Sequence, residues 1–301
     1  MTINNRLRHT AQRILLFLSI MGPGMITASA DKDASGIATY SMAGSRYGYT
    51  FLWAILWVTF GEVVTQEMAA RMGAVTGKGL TDLIRERYGV RITLFVILSL
   101  AVANLGTTAA QFAGIAAAGE LFGISRYLMV PLAAFFVWLL VLRGSYKSVE
   151  KALLFLTLYA IAYIASAFLV APRWGEVLRH IIIPTWHLET HFLLALMATV
   201  GTTMTPWGCA YMQASVADKG INMEEYPYTR LDVIVGAITG NVVSAFVIIC
   251  TAATLFTHGI RVETAEQAAL ALAPLAGQWA KQLFGIGLLG ASLLAASVLP
   301  L

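Results

Sequence analysis

The chain has 301 residues, of which 58% are apolar and 12% charged, with two cysteines and a formal charge of +4. Soluble domains carry about 25% charged residues, so this composition excludes an ordinary soluble fold. A charge this small is no nucleic-acid footprint. Two cysteines inside apolar segments make no disulfide framework, and no nucleophile elbow, HExxH or phosphate loop points to an enzyme.

The apolar residues fall in runs close to the ~20 residues that a helix needs to cross a bilayer core. Backbone polar groups in lipid must be satisfied internally, which leaves helices or closed barrels. Period-two alternation is absent, so the spans are helical. The expected class is an all-α, multi-pass protein of the cell membrane, with 1–301 as a single domain, the lipid bilayer as its surroundings and no nucleic acid among its partners. A monomer is the expected state.

In chain order, predicted helix 1 covers 13–45 with a break inside it. It has no small-residue cleavage site and is not a signal peptide. Predicted helix 2 covers 50–70, helix 3 covers 92–118, helix 4 covers 127–143 and helix 5 covers 149–171. Helix 6 covers 191–217 with a second break, helix 7 covers 230–257 and helix 8 begins near 280. Residues 263–273 read as a short surface helix ended by Pro274. The chain stops at Leu301 in apolar sequence, which gives the expectation of a longer protein cut within helix 8. Lys and Arg concentrate in the segments holding Arg6, Arg8, Arg71, Lys78, Arg85, Arg87 and Arg91, which puts the N-terminus on the cytoplasmic side.

The two breaks carry the chemistry. Helix 1 contains Asp31-Lys32-Asp33 followed by Ala34-Ser35-Gly36. One charge at the bilayer centre costs about 2.5–3.5 kcal/mol, so three in a row must face a polar cavity or be paired. Ser35 and Gly36 favour unwinding near 33–36. Helix 6 contains Thr205-Pro206-Trp207-Gly208, where Pro206 removes a backbone donor; unwinding is expected near 205–208. Interrupted helices at corresponding places in two halves of opposite topology point to a transporter binding site. Glu62 on helix 2 is a candidate pathway group or a partner for Lys32. Asn104, Thr107 and Gln111 on helix 3 are hydrogen-bonding candidates. His180, His187, Glu189 and His191 read chiefly as a polar loop at the membrane edge, although His187 and His191 have the spacing of a zinc pair.

The stretch from Gly22 to Trp53 (GPGMITASADKDASGIATYSMAGSRYGYTFLW) resembles the first helix of the NRAMP divalent-metal transporters. Residues 73–89 (GAVTGKGLTDLIRERYG), 201–218 and 264–290 resemble that family's loop after helix 2, its helix 6 and its helix 7–8 region. The resemblance implies a LeuT-type inverted-repeat bundle with about three further helices. It implies Asp33 as the principal metal carboxylate, with Gly36, Thr202 and Thr205 around the ion and Ser35, Pro206, Trp207 and Gly208 as the wall; Asp31 adds a second metal carboxylate nearby where the segment is unwound.

The sequence departs from the family at the site. The family's Asp-Pro-Gly-Asn stands here as Asp33-Ala34-Ser35-Gly36, and its Met-Pro-His as Thr205-Pro206-Trp207. Thr107 and Ala110 stand where the family has acids linked to proton movement. These departures resemble the NRAMP-related magnesium branch. Oxygen donors suit Mg²⁺ and Mn²⁺, whereas thioether suits softer metals. The expected function is a secondary transporter of Mg²⁺, also of Mn²⁺, without proton coupling. The alternatives are a proton-coupled Mn²⁺/Fe²⁺ carrier and a non-transporting membrane metal sensor. The ion is cargo, and no cofactor is expected.

Overall fold

A computed structural model of the chain describes residues 22–143 and 146–299. The start of predicted helix 1, residues 13–21, and the terminal Leu301 lie outside the described residues. Among the described residues every regular element is helical. Among these residues six helical stretches are long and apolar enough to cross a membrane, and Arg126–Leu142 is a shorter apolar helix.

Predicted helix 1 is two helices, α1 (Pro23–Ala30) and α2 (Ala34–Tyr47), joined through Asp31-Lys32-Asp33. A 3₁₀ turn, Gly48–Phe51, leads into α3 (Leu52–Thr76), and α4 follows over Leu80–Leu121. Gly89 in α4 has φ 80° and ψ 175°, so the residues before it form a separate arm rather than part of the span. A left-handed φ of this kind favours glycine. Next come α5 (Arg126–Arg143), α6 (Tyr146–Leu156) and α7 (Tyr159–Leu169).

Predicted helix 5 is therefore not continuous. The Thr157 hydroxyl donates to the Leu154 carbonyl at 2.7 Å, and the amides of Ala160 and Ile161 bond three residues back. Bonds of this spacing tighten the turn and interrupt the α-helical ladder.

The chain continues with α8 (Trp174–Ile182), α9 (Thr190–Thr203), α10 (Pro206–Asp218) and α11 (Tyr226–Thr254), then α12 (Ala265–Ala276) and α13 (Gln278–Val298). The expected surface helix at 263–273 differs in two ways. Ala268, Ala269 and Leu272 are fully buried, and Pro274 lies inside α12. At the last turn a proline forfeits one hydrogen bond without stopping the helix; Gly277, with φ 86°, follows its end.

Both breaks also lie slightly earlier than expected, at 31–33 and 204–205. Ala34-Ser35-Gly36 and Pro206-Trp207-Gly208 are already helical, because each forms a first turn behind a capping residue. Asp33 accepts from the Gly36 amide at 2.7 Å, and Thr205 accepts from the Gly208 amide at 3.1 Å. Pro206 follows Thr205 at the first helical position, where its missing N–H costs nothing. The cap, not the glycine, sets each boundary.

Helix α11 runs along both halves of the broken first helix. A Cβ on Gly24 would meet the Asp232 carbonyl at 2.6 Å, and one on Gly240 would meet Ala28 O at 2.7 Å. Small residues here let two backbones touch, the usual means of helix packing where lipid removes the hydrophobic drive between helices. Asp232 of α11 caps α1, with its Oδ2 accepting from the amides of Gly22 at 3.2 Å and Gly24 at 2.7 Å. The main core joins Ile37, Tyr40, Phe51, Val247, Phe284 and Leu288, all buried. Leu98, Val102 and Leu105 of α4 are more than 60% exposed and form an unpartnered apolar face.

Candidate metal centre

The broken helices meet at the site. The Thr205 hydroxyl donates to Asp31 Oδ1 at 2.6 Å. A cavity of about 300 Å³ opens there, lined by Asp31, Asp33, Ser35, Asn104, Thr107, Thr202, Thr205, Pro206 and Trp207, with Ala30, Leu100, Ala103 and Leu299. Asp31 and Asp33 are two residues apart and would diverge on a regular helix. The unwound segment brings both to one cavity.

Asp33 is held firmly. Its Oδ1 accepts from the Gly36 amide at 2.7 Å and the Ser35 hydroxyl at 2.7 Å. Its Oδ2 accepts from the Gln111 side-chain amide at 2.7 Å, whose own oxygen accepts from the Ala34 amide at 3.0 Å. Gln111 thus fixes the carboxylate and satisfies an orphan donor at the start of α2. Asp31 is held less tightly, by Thr205 and by Gln66 Nε2 at 3.4 Å. Across the break, the Tyr159 hydroxyl donates to the Ser29 carbonyl at 2.8 Å, satisfying the end of α1.

Not every expected residue reaches the cavity. Gly36 is absent from its lining, and its amide is spent on Asp33. Unwinding near 33–36 would have opened Gly36 to the ion, but the Asp33 cap keeps it in helical geometry. Gly208 is likewise in the first turn of α10, where a Cβ would meet Asp31 Oδ2 at 3.0 Å. Gln111 acts through Asp33. Glu62 is not among the residues lining the cavity but lines a smaller one of about 160 Å³ that also touches Thr205 and Pro206, with Thr65, Gln66, Thr203, Met204 and Cys209.

Lys32 does not pair with its sequence neighbours. Its Nζ contacts both Glu62 oxygens at 3.2 Å, and both side chains are 1% exposed. Glu62 also accepts from Asn241 at 2.5 Å and Gln66 at 3.2 Å. The sequence reading missed Gln66 and Asn241. Gln66 stands one turn after Glu62, a spacing that puts both on one helix face. Asn241 left only the faint signal of a polar residue in an apolar span.

The electrostatics favour a cation. Counted as ionised, three buried carboxylates, Asp31, Asp33 and Glu62, and one buried ammonium, Lys32, leave two formal negative charges at the break. The C-terminal ends of α1 and α9 add partial negative charge and the N-terminal ends of α2 and α10 partial positive charge, so the helix ends roughly cancel. Every polar side chain lining the larger cavity, the Trp207 indole apart, offers oxygen. Among the described residues no group of three or more His, Cys, Asp or Glu is arranged for a metal. The histidines expected in one polar loop form no such group either: His180 lies in α8 and bonds the Glu176 carbonyl, His187 lies between helices and packs edge-on against Phe192, and His191 lies in the first turn of α9.

A second cavity of about 240 Å³ shares Leu100, Asn104, Trp207 and Leu299 with the first and continues along α10 to Gly79, Leu80 and Thr81. Trp207, which lines both spaces, stacks on Tyr211 with centroids 5.2 Å apart.

Comparison with known proteins adds the following. Residues 24–301 match the family model described as natural resistance-associated macrophage protein-like, Nramp. The chain is 31% identical over 285 residues to the divalent metal cation transporter MntH of Erwinia tasmaniensis, covering 91% of this chain and 68% of that protein. It is 29% identical to the protein of the same name from Bacillus subtilis, covering 93% and 68%. A crystal structure of a manganese transporter from Eremococcus coleocola superposes with a TM-score of 0.74 at 22% identity, covering 94% of this chain and 65% of that one. The chain thus spans about two thirds of the length of these relatives, and the fold it shares with them is the LeuT-type helical bundle. The matched family model covers nearly the whole chain, and the chain belongs to the Nramp family.

Proposed function

We propose that this chain forms the cation-binding part of a secondary transporter for divalent metal ions, with Asp31 and Asp33 as charged ligands and Thr202 and Thr205 as neutral ones. The observation that carries this reading is the pair of residual negative charges beside a cavity whose polar side chains are almost all oxygen donors. Leaving such charges unbalanced away from water is costly, and one divalent cation neutralises both. Ser35, Pro206, Trp207 and Thr107 shape the wall. The second cavity behind Trp207 supports a route toward the side expected to be cytoplasmic.

The relatives' names favour Mn²⁺ as cargo over the Mg²⁺ expected from the residues alone. A hard, oxygen-rich site suits both ions. Carriage is feasible without coupling: 100 mV acting on two charges is worth about 4.6 kcal/mol, a concentration ratio on the order of two thousand. Proton coupling, the alternative reading, has its own measurement. The experiment is Mn²⁺ and Mg²⁺ uptake into proteoliposomes with a pH dye inside. Uptake that vanishes in Asp33→Asn supports the assignment. Acidification that tracks Mn²⁺ entry establishes coupling, and binding without uptake turns the reading into a sensor.

A further inference from the structure

The Lys32–Glu62 pair plays no part in the ligand set above, yet it is among the most buried groups in the molecule. Lys32 is 0% and Glu62 1% exposed. Two ions taken out of water lose several kcal/mol each, and their attraction repays this only when the remaining polar positions are filled. Here they are filled on the acid side, since Glu62 accepts from Lys32, Asn241 and Gln66. Gln66 also donates to Asp31 Oδ2 at 3.4 Å, so one amide links the pair to the proposed ligand. Lys32 adjoins both Asp31 and Asp33 in sequence and interacts electrostatically with Asp31. With a flexible four-carbon stem, its ammonium has a rival partner within the break itself.

We infer that Glu62 is a specificity-determining residue that draws the Lys32 ammonium away from Asp31, leaving the cavity two unneutralised carboxylates and therefore a preference for a doubly charged ion. This rests on the functional reading above. Without Glu62, Lys32 becomes a tethered cation that competes with the cargo for Asp31. Without Lys32, the buried Glu62 has no cation to hold its charge and takes up a proton, so the two ligand carboxylates are left as they were. Removing Glu62 therefore weakens cation affinity, and removing Lys32 as well restores it. A pair that merely holds helices together predicts loss of folded protein from both and no change in the affinity of whatever folds.

The test is Mn²⁺ binding by calorimetry to the purified protein in detergent, scored on the monodisperse folded fraction. One unit charge at a few ångströms, even at an effective dielectric of ~20, changes affinity by about tenfold or more. Glu62→Gln is expected to weaken Mn²⁺ binding by at least about tenfold, and Lys32→Met to leave it close to wild type. The Lys32→Met/Glu62→Gln protein is expected to recover the affinity that Glu62→Gln loses. Should Glu62→Gln fail to fold, Glu62→Asp, whose shorter side chain reaches Lys32 less well, takes its place: weakened binding that Lys32→Met/Glu62→Asp restores supports the inference, and equal affinities overturn it. Asp33→Ala separates the two levels. If wild type binds Mn²⁺, Asp33→Ala does not, and neither single variant shifts the affinity, this inference alone fails. If wild type and Asp33→Ala bind alike, the functional reading fails and takes this inference with it.

Discussion

Thr205 Oγ1 and Asp31 Oδ1 lie 2.6 Å apart across 174 residues of chain, and this one contact ties the break in helix 1 to the break in helix 6. The same hydroxyl accepts from the Gly208 amide at 3.1 Å. Its donor and one acceptor position are both used, so a threonine here caps α10 and orients a carboxylate at once.

Thr205→Val keeps the shape and removes both bonds, whereas Thr205→Ser keeps both. Loss of an N-cap costs about 1 kcal/mol, and the buried Asp31 oxygen loses its shorter partner. Thr205→Val should unfold at a clearly lower temperature in detergent and bind Mn²⁺ more weakly, with Thr205→Ser close to wild type in both. Equal melting temperatures for the valine and serine proteins would show that the contact contributes nothing.

Asp33 is held by three hydrogen bonds and Asp31 by two, one of them long. A carboxylate fixed by Gly36, Ser35 and Gln111 presents its remaining lone pairs without reorganising, so Asp33 is the better anchor for an ion. Asp33→Asn preserves the volume and leaves an oxygen to cap α2, but it sets an NH2 against the Gln111 side-chain amide, so stability should fall by roughly 1–3 kcal/mol while uptake disappears. Uptake retained in a stable Asp33→Asn protein would shift the main ligand role to Asp31.

Much of this was legible in the sequence because charge in an apolar run has few explanations. Asp31-Lys32-Asp33 located one break and Thr205-Pro206 the other to within about three residues. The residual error came from reading Gly36 and Gly208 as breakers, when Asp33 and Thr205 act as caps and the glycines fall in the first turn that follows. Partners were far less legible. No local pattern says that Lys32 turns to Glu62 rather than to Asp31, or that Asn241 and Gln66 complete the set. Such choices are made by packing between helices 30 to 200 residues apart. Predicted helix 5 reads as one apolar run for a related reason: the Thr157 turn leaves hydropathy unchanged.

Asp232 tests how far α1 depends on α11. Its carboxylate holds the amides of Gly22 and Gly24, beside glycines that allow no larger residue between the backbones. Removing one partner leaves buried donors unsatisfied, at roughly 1–3 kcal/mol. Asp232→Ala should lower the unfolding temperature more than Thr205→Val does, and Asp232→Asn should recover part of the loss. An Asp232→Ala protein as stable as wild type would mean that water satisfies the start of α1.

Metal preference at Thr205 is the last test and the most specific to this chain. The resemblance puts a methionine sulfur where Thr205 stands, and sulfur bonds well to soft ions and poorly to hard ones. The structure adds a complication: a methionine here also abolishes the cap and the bond to Asp31. Thr205→Met must therefore be compared with Thr205→Leu, which loses the same bonds, has similar bulk and offers no sulfur. Mg²⁺ uptake should fall in both, since each fills space that hydrated Mg²⁺ would occupy. Competition by Cd²⁺ against Mn²⁺ should strengthen in Thr205→Met alone, by roughly tenfold if one sulfur ligand contributes about 1.4 kcal/mol. Equal Cd²⁺ competition in the methionine and leucine proteins, both shown to be folded, would mean that position 205 does not face the ion.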